Sequence, residues 1–328
     1  MTAESRNGWV RLLDAGLLPL ALVLLSFGLA LSEPRFLSAQ NLINVLRGGA
    51  LLMIVACGQM IVLIVRGMDL SIGSTMALTS VTSATVMIRL AQTVGPVGAI
   101  AAGIAAGLVV GLLVGLCNGI AVAVFELTPF MVTLAMASII GGVALTQTNG
   151  IPIYGLPDGF VTAWGRSTWL GVPPTVWAAA FVVLAVWIVQ RFTVLGLRIH
   201  AVGGSPQASR VSGVNVRLHI VLAYVLCGMT ASLASLLLTA QIGSGQGSVG
   251  DTLALQSIGA AVIAGVSLHG GIGRVQRVAL GSLFLLLLNN AMDLLRIESK
   301  AQAIVMGVLI VAVVALDEFK KKGQGDGR

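Results

Sequence analysis

Charged residues are scarce in this chain of 328 residues. Asp, Glu, Lys and Arg together form 9% of the sequence, whereas hydrophobic residues form 57% and the mean hydropathy is +0.99. Soluble domains carry about 25% charged residues, so this sequence has too few charges to give a large apolar core a water-soluble surface. The composition therefore predicts a protein that a lipid bilayer surrounds.

Cysteine is scarce as well. The three residues, Cys57, Cys117 and Cys227, all lie in apolar stretches. Their number is odd, and their spacing is not that of a metal site. Free cysteine in apolar surroundings behaves as a small hydrophobic residue. We therefore expect all three side chains to be buried, and we expect no metal to be bound.

The groupings that carry catalysis are missing from the sequence. The histidines have no partners at metal-ligand spacing, and no Ser-His-Asp grouping, HExxH motif or pair of carboxylates can be placed on one face. The glycine-rich segment 267–277 lacks the Lys-Ser/Thr of a phosphate-binding loop, so we interpret it as a tight turn. The sequence thus predicts no catalytic residues and no cofactor bound by this chain, and it disfavours an intramembrane enzyme.

The net charge of +7 does not indicate binding to nucleic acid. The basic residues are scattered between apolar segments, and they do not form a stripe interleaved with aromatic residues. Membrane topology explains the surplus of positive charge better, and we expect no nucleic-acid partner.

The sequence contains many long apolar segments. A helix needs about 20 apolar residues to cross a bilayer, and ten segments approach that length. They are 15–32, 42–65, 71–90, 97–124, 128–147, 172–190, 219–240, 253–268, 278–295 and 301–316. The sequence therefore predicts an all-α polytopic membrane protein with about 10 transmembrane helices in one bundle.

The distribution of cations predicts an orientation. If the N-terminus lies inside and each segment crosses once, most of the 19 Lys and Arg residues fall on the inside, as the positive-inside rule requires. We therefore expect both termini to be cytoplasmic. The expected division is an N-terminal tail over 1–14, a transmembrane domain over 15–316 and a C-terminal tail over 317–328.

Glycine recurs at every fourth position in one apolar segment, at 103, 107, 111, 115 and 119. Residues four apart lie on the same face of a helix. A face of glycines lets the backbone of another helix approach closely. The pattern predicts a site of tight helix packing.

The longest polar segment between apolar segments covers 191–218, and no acidic residue occurs between Asp158 and Asp251. Within this segment, Ser205 can cap a short helix, Pro206 suits its first position and Gly213 can end it. The residues alone leave two interpretations open. The segment is either a solvated cytoplasmic connector or a docking element for a soluble partner.

Several polar residues lie inside the apolar segments or at their ends. Asp69 occupies a position that suits either a helix cap, which Ser71 would share, or a group that gates the passage of a substrate. Amide and hydroxyl groups suit a neutral polyhydroxylated solute, although hydrogen bonding between helices explains any single one. The candidates for a translocation path are Asp69, Ser71, Asn118, Asn149, Gln241, Gln256, Asn289 and Asn290.

Six stretches, taken in order, resemble the permease subunit of bacterial sugar ABC importers of the ribose, xylose, galactose and rhamnose type. They are FLSAQNLINVL (36–46), GMDLSIGS (67–74), 118–153, LRIHAVGGSPQASRVSGVNV (197–216), 254–274 and NNAMDLL (289–295). The resemblance covers nearly all of the transmembrane part. The family often has Asn in place of Ser205, and either residue caps a helix.

The resemblance implies that 15–316 is a permease domain in the bacterial cytoplasmic (inner) membrane, and that it translocates a monosaccharide-like solute. It implies three protein partners: an ABC ATPase subunit that binds ATP and magnesium, a periplasmic sugar-binding protein and a second permease subunit, identical or different. The segment 198–213 would lie in the ATPase cleft. The implied coupling residues are Arg198, Gly203, Gly204, Ser205, Ala208, Arg210, Ser212 and Gly213.

Two physical roles are expected inside the coupling segment. Gly203 and Gly204 would allow a sharp entry into the short helix, and Arg198 and Arg210 would pair with acidic residues of the ATPase. The alternative function is a secondary transporter driven by ions, which needs ionisable residues near the middle of the membrane. Its only candidates are Asp69 and Asp293, and both lie near the ends of apolar segments.

Overall fold

The chain is described by a computed structural model over residues 8–325, and this part of it is built from helices. The helices are α1 (Gly8–Ser32), α2 (Ala39–Ile64), α3 (Ile72–Leu90), α4 (Gly95–Ala123), α5 (Pro129–Thr148), α6 (Asp158–Phe160), α7 (Pro174–Phe192), α8 (Val194–Gly204), α9 (Pro206–Val211), α10 (Val216–Ile242), α11 (Asp251–Ile263), α12 (Val275–Leu294) and α13 (Ser299–Gly325). A 3₁₀ turn, Pro34–Leu37, precedes α2, and a π-helical turn, Val161–Arg166, follows α6.

The predicted tails lie partly outside these residues, since 1–7 and 326–328 are not described. Within the described part, α1 already begins at Gly8 and α13 continues to Gly325. The helical backbone therefore extends into both segments that the sequence analysis assigned to tails.

Helix α2 lies at the centre of the molecule. Every residue from Ile54 to Val65 is buried, and the helix packs against α7, α10, α11 and α12. The sequence explains this position, because α2 is apolar all round from Gly48 to Ile64, apart from Gln59, and this part has no face that favours water. One polar side chain in its second half, Gln59, is fully buried and faces the linker that follows the helix.

The repeated glycines of α4 are confirmed as the face that packs closely against other helices. All five, from Gly103 to Gly119, are buried. A Cβ atom at Gly111 would overlap the carbonyl of Gly228 in α10, and one at Gly115 would overlap the carbonyl of Tyr224. The backbones of α4 and α10 therefore touch, as small residues allow between membrane helices.

Cys117 lies on the side of α4 opposite to the glycine face. The prediction that all three cysteines are buried was therefore wrong. Cys57 and Cys227 are buried, whereas Cys117 is exposed. The glycine face of α4 points inward together with Asn118, so the preceding residue projects outward beside Leu113 and Leu116. In a bilayer this outer face contacts lipid.

Six of the described helices are long and apolar enough to cross a membrane, namely α2, α4, α5, α7, α10 and α12. The molecule is a multi-pass helical membrane protein, but the predicted number of about ten crossings is not reached on this criterion. Helix α11 has 13 residues, and the described apolar parts of α1 and α13 cover Leu18–Ser32 and Ser299–Ala312. Helix α3 has 19 residues but carries many Ser and Thr residues, which lower its hydropathy.

Candidate coupling site and polar interior

The polar segment 191–218 contains two helices, and the sequence analysis predicted only the second. Helix α8 begins after Thr193, whose Oγ1 accepts a hydrogen bond from the Gly196 amide at 3.2 Å. Its buried residues are Gly196, Ile199, Val202 and Gly203. They recur every three or four positions, which is the spacing of one helix face. The arginines in the same segment obscured this weak apolar pattern.

Helix α9 is the short helix that the sequence predicts. The Ser205 hydroxyl accepts a hydrogen bond from the Ala208 amide at 3.2 Å, and Pro206 is the first helical residue. The helix ends at Val211, and Gly213 then adopts a φ of +78°. Ser205 is thus the N-cap, and glycine suits the left-handed conformation that follows the helix.

The outer faces of α8 and α9 form one exposed surface, which we call the α8–α9 surface. It consists of Arg198, Gly204, Ser205, Ala208, Arg210, Val211, Ser212 and Gly213. Val211 is 88% exposed although it is apolar. Among the described residues, no carboxylate pairs with either arginine. The arrangement presents two free guanidinium groups around an exposed apolar side chain.

The inner side of α8 is fixed to the end of α2. A Cβ atom at Gly203 would overlap the Ile64 carbonyl, so only glycine lets the two backbones come this close. The Arg66 guanidinium donates from Nε to the Gly203 carbonyl and from Nη2 to the Gly204 carbonyl, each at 2.6 Å. These carbonyls end α8 and have no partner within the helix, so a cation is favourable there.

The predicted role of the glycine pair therefore needs correction. Gly203 and Gly204 are the last helical residues of α8, and neither has a positive φ. The change of direction into α9 occurs at Ser205, which is extended. Gly203 is needed for close approach to α2, whereas a Cβ atom at Gly204 would meet nothing.

A third segment completes this end of the bundle. The turn between α11 and α12 has positive φ at Gly270 and Gly271, as expected for the tight turn predicted over 267–277. The Gly271 amide donates to the Ile64 carbonyl at 2.8 Å, and His200 of α8 lies 3.1 Å from the Gly273 carbonyl through Nε2. The end of α2, helix α8 and this turn thus form one connected unit.

Three candidates for the translocation path form one hydrogen-bonded chain. Asp69 Oδ1 accepts from the Ser71 amide at 2.8 Å and from its hydroxyl at 2.6 Å. Asn118 of α4 donates to the Ser71 hydroxyl oxygen at 2.8 Å. All three residues are buried, with 2% exposure or less. Asp69 precedes α3 by three residues and holds a turn before the helix, whereas Ser71 is the N-cap position and makes no side-chain cap.

The linker between α2 and α3 is held from several sides. The Met68 carbonyl accepts from the Tyr224 hydroxyl at 3.3 Å and from the Thr133 hydroxyl at 3.2 Å. In the amide orientation that satisfies both of its side-chain atoms, Gln59 pairs with the backbone N–H and C=O of Asp69 at 3.3 Å. Helices α2, α4, α5 and α10 therefore all contact this linker.

The other five candidates do not join this chain. Asn290 exchanges two hydrogen bonds with Asn41 of α2, at 2.7 and 3.1 Å. Asn149 ends α5 in a left-handed conformation with a φ of 50°, and it is exposed. Gln241 lies at the end of α10, while Gln256 and Asn289 are half-buried in α11 and α12. The assignment of the eight residues to a translocation path stays a prediction.

A row of buried hydroxyl groups lies between α3 and α10 and was not predicted from the sequence. Thr79 and Ser232 are 2.9 Å apart through their hydroxyl oxygens, and Thr239 donates to Ser80 at 2.7 Å. Ser235 donates to the Met76 carbonyl at 2.5 Å. These groups satisfy one another, so here they hold α3 against α10. Four-residue spacing of Ser and Thr in α3 was the available signal.

Comparison with known proteins gives a consistent result over nearly the whole chain. Residues 41–314 match the family described as branched-chain amino acid transport system / permease component. The chain is 37% identical to the ribose import permease protein of Escherichia coli K12 over 309 residues, which cover 92% of this chain and 93% of that protein. It is 31% identical to the D-allose transport system permease protein of the same strain over 311 residues, with 92% and 90% covered.

A third relative extends the match. The galactose/methyl galactoside import permease protein of Escherichia coli K12 is 31% identical over 331 residues, which cover 98% of both chains. No solved structure matches the chain.

Proposed function

The chain belongs to the permease family described as branched-chain amino acid transport system / permease component, and we propose that it is the translocation subunit of an ATP-driven importer for a monosaccharide-like solute. Although the family description names amino acids, three relatives that align with at least 90% of their length are named for ribose, allose and galactose. We therefore assign a sugar rather than an amino acid. Family membership also favours this function over the ion-coupled transporter.

The observation that carries the proposal is the α8–α9 surface together with its attachment to α2. The surface exposes Arg198 and Arg210, which suit carboxylates on a partner. Behind it, Arg66 and Gly203 connect α8 to the central helix. A push on α8 and α9 would therefore reach α2 directly as a rigid-body movement.

The proposed assembly contains this chain and three protein partners. A soluble ABC ATPase subunit binds ATP and magnesium and docks on the α8–α9 surface, and a periplasmic sugar-binding protein delivers the solute. A second permease subunit, identical or different, completes the passage. The assembly lies in the bacterial cytoplasmic membrane with both termini of this chain inside, so that the α8–α9 surface faces the ATPase.

The eight polar candidates are proposed to have two different roles in the passage. Asp69 and Ser71 lie in the α2–α3 linker, as does Arg66. Asn118 is hydrogen-bonded to Ser71. We propose that they hold the closed arrangement of this linker and are exposed when α2 moves. Asn149, Gln241, Gln256, Asn289 and Asn290 are proposed as polar groups of the passage in its other conformation.

Uptake by the reconstituted assembly tests the coupling role. We expect Arg210→Glu, or deletion of 205–211, to abolish ATP-driven sugar uptake in proteoliposomes, because either change removes the contact with the ATPase while leaving the membrane helices in place. Arg89→Glu, an exposed arginine in the last turn of α3, is the control and should retain uptake. Normal uptake by Arg210→Glu would contradict the coupling role.

A further inference from the structure

A second basic feature lies beside the coupling site and is separate from the α8–α9 surface. It is a cleft of about 680 Å³ between the end of α7, helix α8 and the start of α12. The residues that line it are Trp187, Gln190, Arg191, His200, Gly271, Ile272, Gly273, Arg274, Gln276 and Arg277. We call it the α7–α12 cleft.

The charge of the α7–α12 cleft is positive and unbalanced. Arg191, Arg274 and Arg277 line it, and no Asp or Glu does. Among the described residues, both ion pairs involve other arginines. Between residues 159 and 292, Asp251 is the only acid, and it begins α11. The start of α12 adds the positive end of a 20-residue helix.

An apolar crevice adjoins the cleft. It has a volume of about 120 Å³ and lies between α2, α7, α8 and α10. Its walls include Ile61, Ala185 and Val189, and it shares Gln190 and His200 with the cleft. A basic cavity and an apolar cavity thus lie side by side, with Gln190 and His200 between them.

The position along α7 fits the surface of a bilayer. The outer face of the helix exposes Phe181, Leu184 and Ile188, as a face in contact with lipid does. Trp187 and Phe192 then meet edge to face at 5.3 Å in the last turns. Tryptophan side chains concentrate where the hydrocarbon ends and the headgroups begin, so Trp187 in the lining suits a cleft at headgroup depth.

We propose that the α7–α12 cleft binds the phosphodiester headgroup of an anionic membrane phospholipid, with a short segment of one acyl chain of that lipid in the crevice. Arginine forks match the paired oxygens of a phosphate, and basic pockets between helices at the cytoplasmic side are suited to anionic lipid headgroups. The crevice selects a lipid over a soluble phosphate, because a free anion would leave the apolar walls empty. This inference does not depend on the proposed transport function.

Lipid retention by the purified full-length chain tests the proposal without any uptake measurement. Delipidated protein in detergent is offered phosphatidylglycerol, phosphatidylcholine with the same acyl chains, or inorganic phosphate, and bound molecules are counted by native mass spectrometry. We expect phosphatidylglycerol to be retained in preference to the other two. The triple variant Arg191→Gln, Arg274→Gln, Arg277→Gln should lower that retention about tenfold or more.

Two further variants separate the cleft from general surface charge. Arg198→Gln, Arg210→Gln, Arg217→Gln removes the same number of charges near the same end of the molecule and should leave retention unchanged. Ala185→Leu fills the crevice without changing any charge, and it should weaken retention of phosphatidylglycerol.

Three results would overturn the proposal. Equal losses in the two triple variants would mean that lipid follows surface charge and not the cleft. Retention of inorganic phosphate as firmly as phosphatidylglycerol would make the cleft a site for a soluble anion. Unchanged lipid retention in the cleft variant, together with weaker binding of the ATPase subunit, would assign these arginines to the protein interface.

Discussion

At the scale of single residues, Arg66 connects the end of α2 with the end of α8. Its backbone has a φ of 66°, which is uncommon for a residue other than glycine. This conformation ends α2 and directs the guanidinium to the last two carbonyls of α8. Asp69 and Ser71 follow within five residues and are buried. One short stretch of chain therefore touches both the coupling site and the polar interior.

Replacement of Arg66 by Ala should impair coupling more than folding. The side chain is exposed, so we expect its two hydrogen bonds to contribute about 1 kcal/mol to the free energy of unfolding. The ends of α8 and α2 would, however, be connected less firmly, so less solute would enter per ATP hydrolysed. Paired measurements of uptake and ATP hydrolysis in proteoliposomes give that ratio. Arg47→Ala is the control, because Arg47 also donates to a backbone carbonyl, that of Arg166.

The two obvious substitutions of Asp69 should differ in effect. Asp69→Ala removes the acceptor of the Ser71 amide and hydroxyl in a buried place, which costs about 1–3 kcal/mol of stability. Asp69→Asn retains an acceptor oxygen, so it should fold with nearly normal thermal stability in detergent. Stability of Asp69→Ala equal to that of the native chain would show that these hydrogen bonds do not hold the linker.

At the scale of elements, α8 is placed by contacts on one face. Gly203 meets the Ile64 carbonyl, and His200 reaches the turn before α12. The opposite face contributes to the α8–α9 surface. Helix α9 continues that surface, and Ser205 is the single residue between the two helices. The exposed surface and the contacts with α2 therefore lie on different sides of one helix.

The adjacent glycines of α8 provide a matched pair of substitutions. Gly203→Ala would place a Cβ atom against the Ile64 carbonyl, and overpacking of this kind typically costs about 1–3 kcal/mol. Gly204→Ala should be tolerated, because its Cβ atom would meet nothing. Thermal unfolding in detergent and ATP-driven uptake should both fall for the first variant only. Equal behaviour of the two would contradict the close contact between α8 and α2.

At the scale of the whole molecule, the ends of the bundle differ in chemistry. The α8–α9 surface, the turn before α12 and Arg66 bring many arginines to one end. The other end contains the connection from α5 to α7, in which Trp164 and Trp169 pack edge to face at 5.0 Å. This asymmetry agrees with the positive-inside rule and underlies the proposed orientation.

Thiol labelling from one side of the membrane tests that orientation. In a chain whose native cysteines are replaced by serine, Leu170→Cys and Val211→Cys place single thiols at residues that are 91% and 88% exposed. An impermeant maleimide should label the first in intact spheroplasts and the second only in inverted vesicles. The reverse pattern would place the α8–α9 surface outside and remove it from the reach of an ATPase.

The sequence predicted the features that neighbouring residues determine. The cap, first residue and end of α9 follow from Ser205, Pro206 and Gly213, and the close packing of α4 follows from a four-residue glycine repeat. It did not predict the contact of Arg66 with α8, because 137 residues separate Arg66 from Gly203 and no periodic pattern marks such a pair. The burial of Asp69 was missed for a similar reason, since its surroundings come from α2, α4 and α10.

The enclosure of α2 has a consequence for biosynthesis. This helix is among the first to leave the ribosome, yet α7, α10, α11 and α12, which surround it, are translated later. Until they are made, the apolar surface of α2 lacks the helices that later bury it. The nascent chain therefore passes through a stage in which α2 is not yet packed against its later neighbours. Membrane quality-control proteases would find α2 most accessible before translation of α12 is complete.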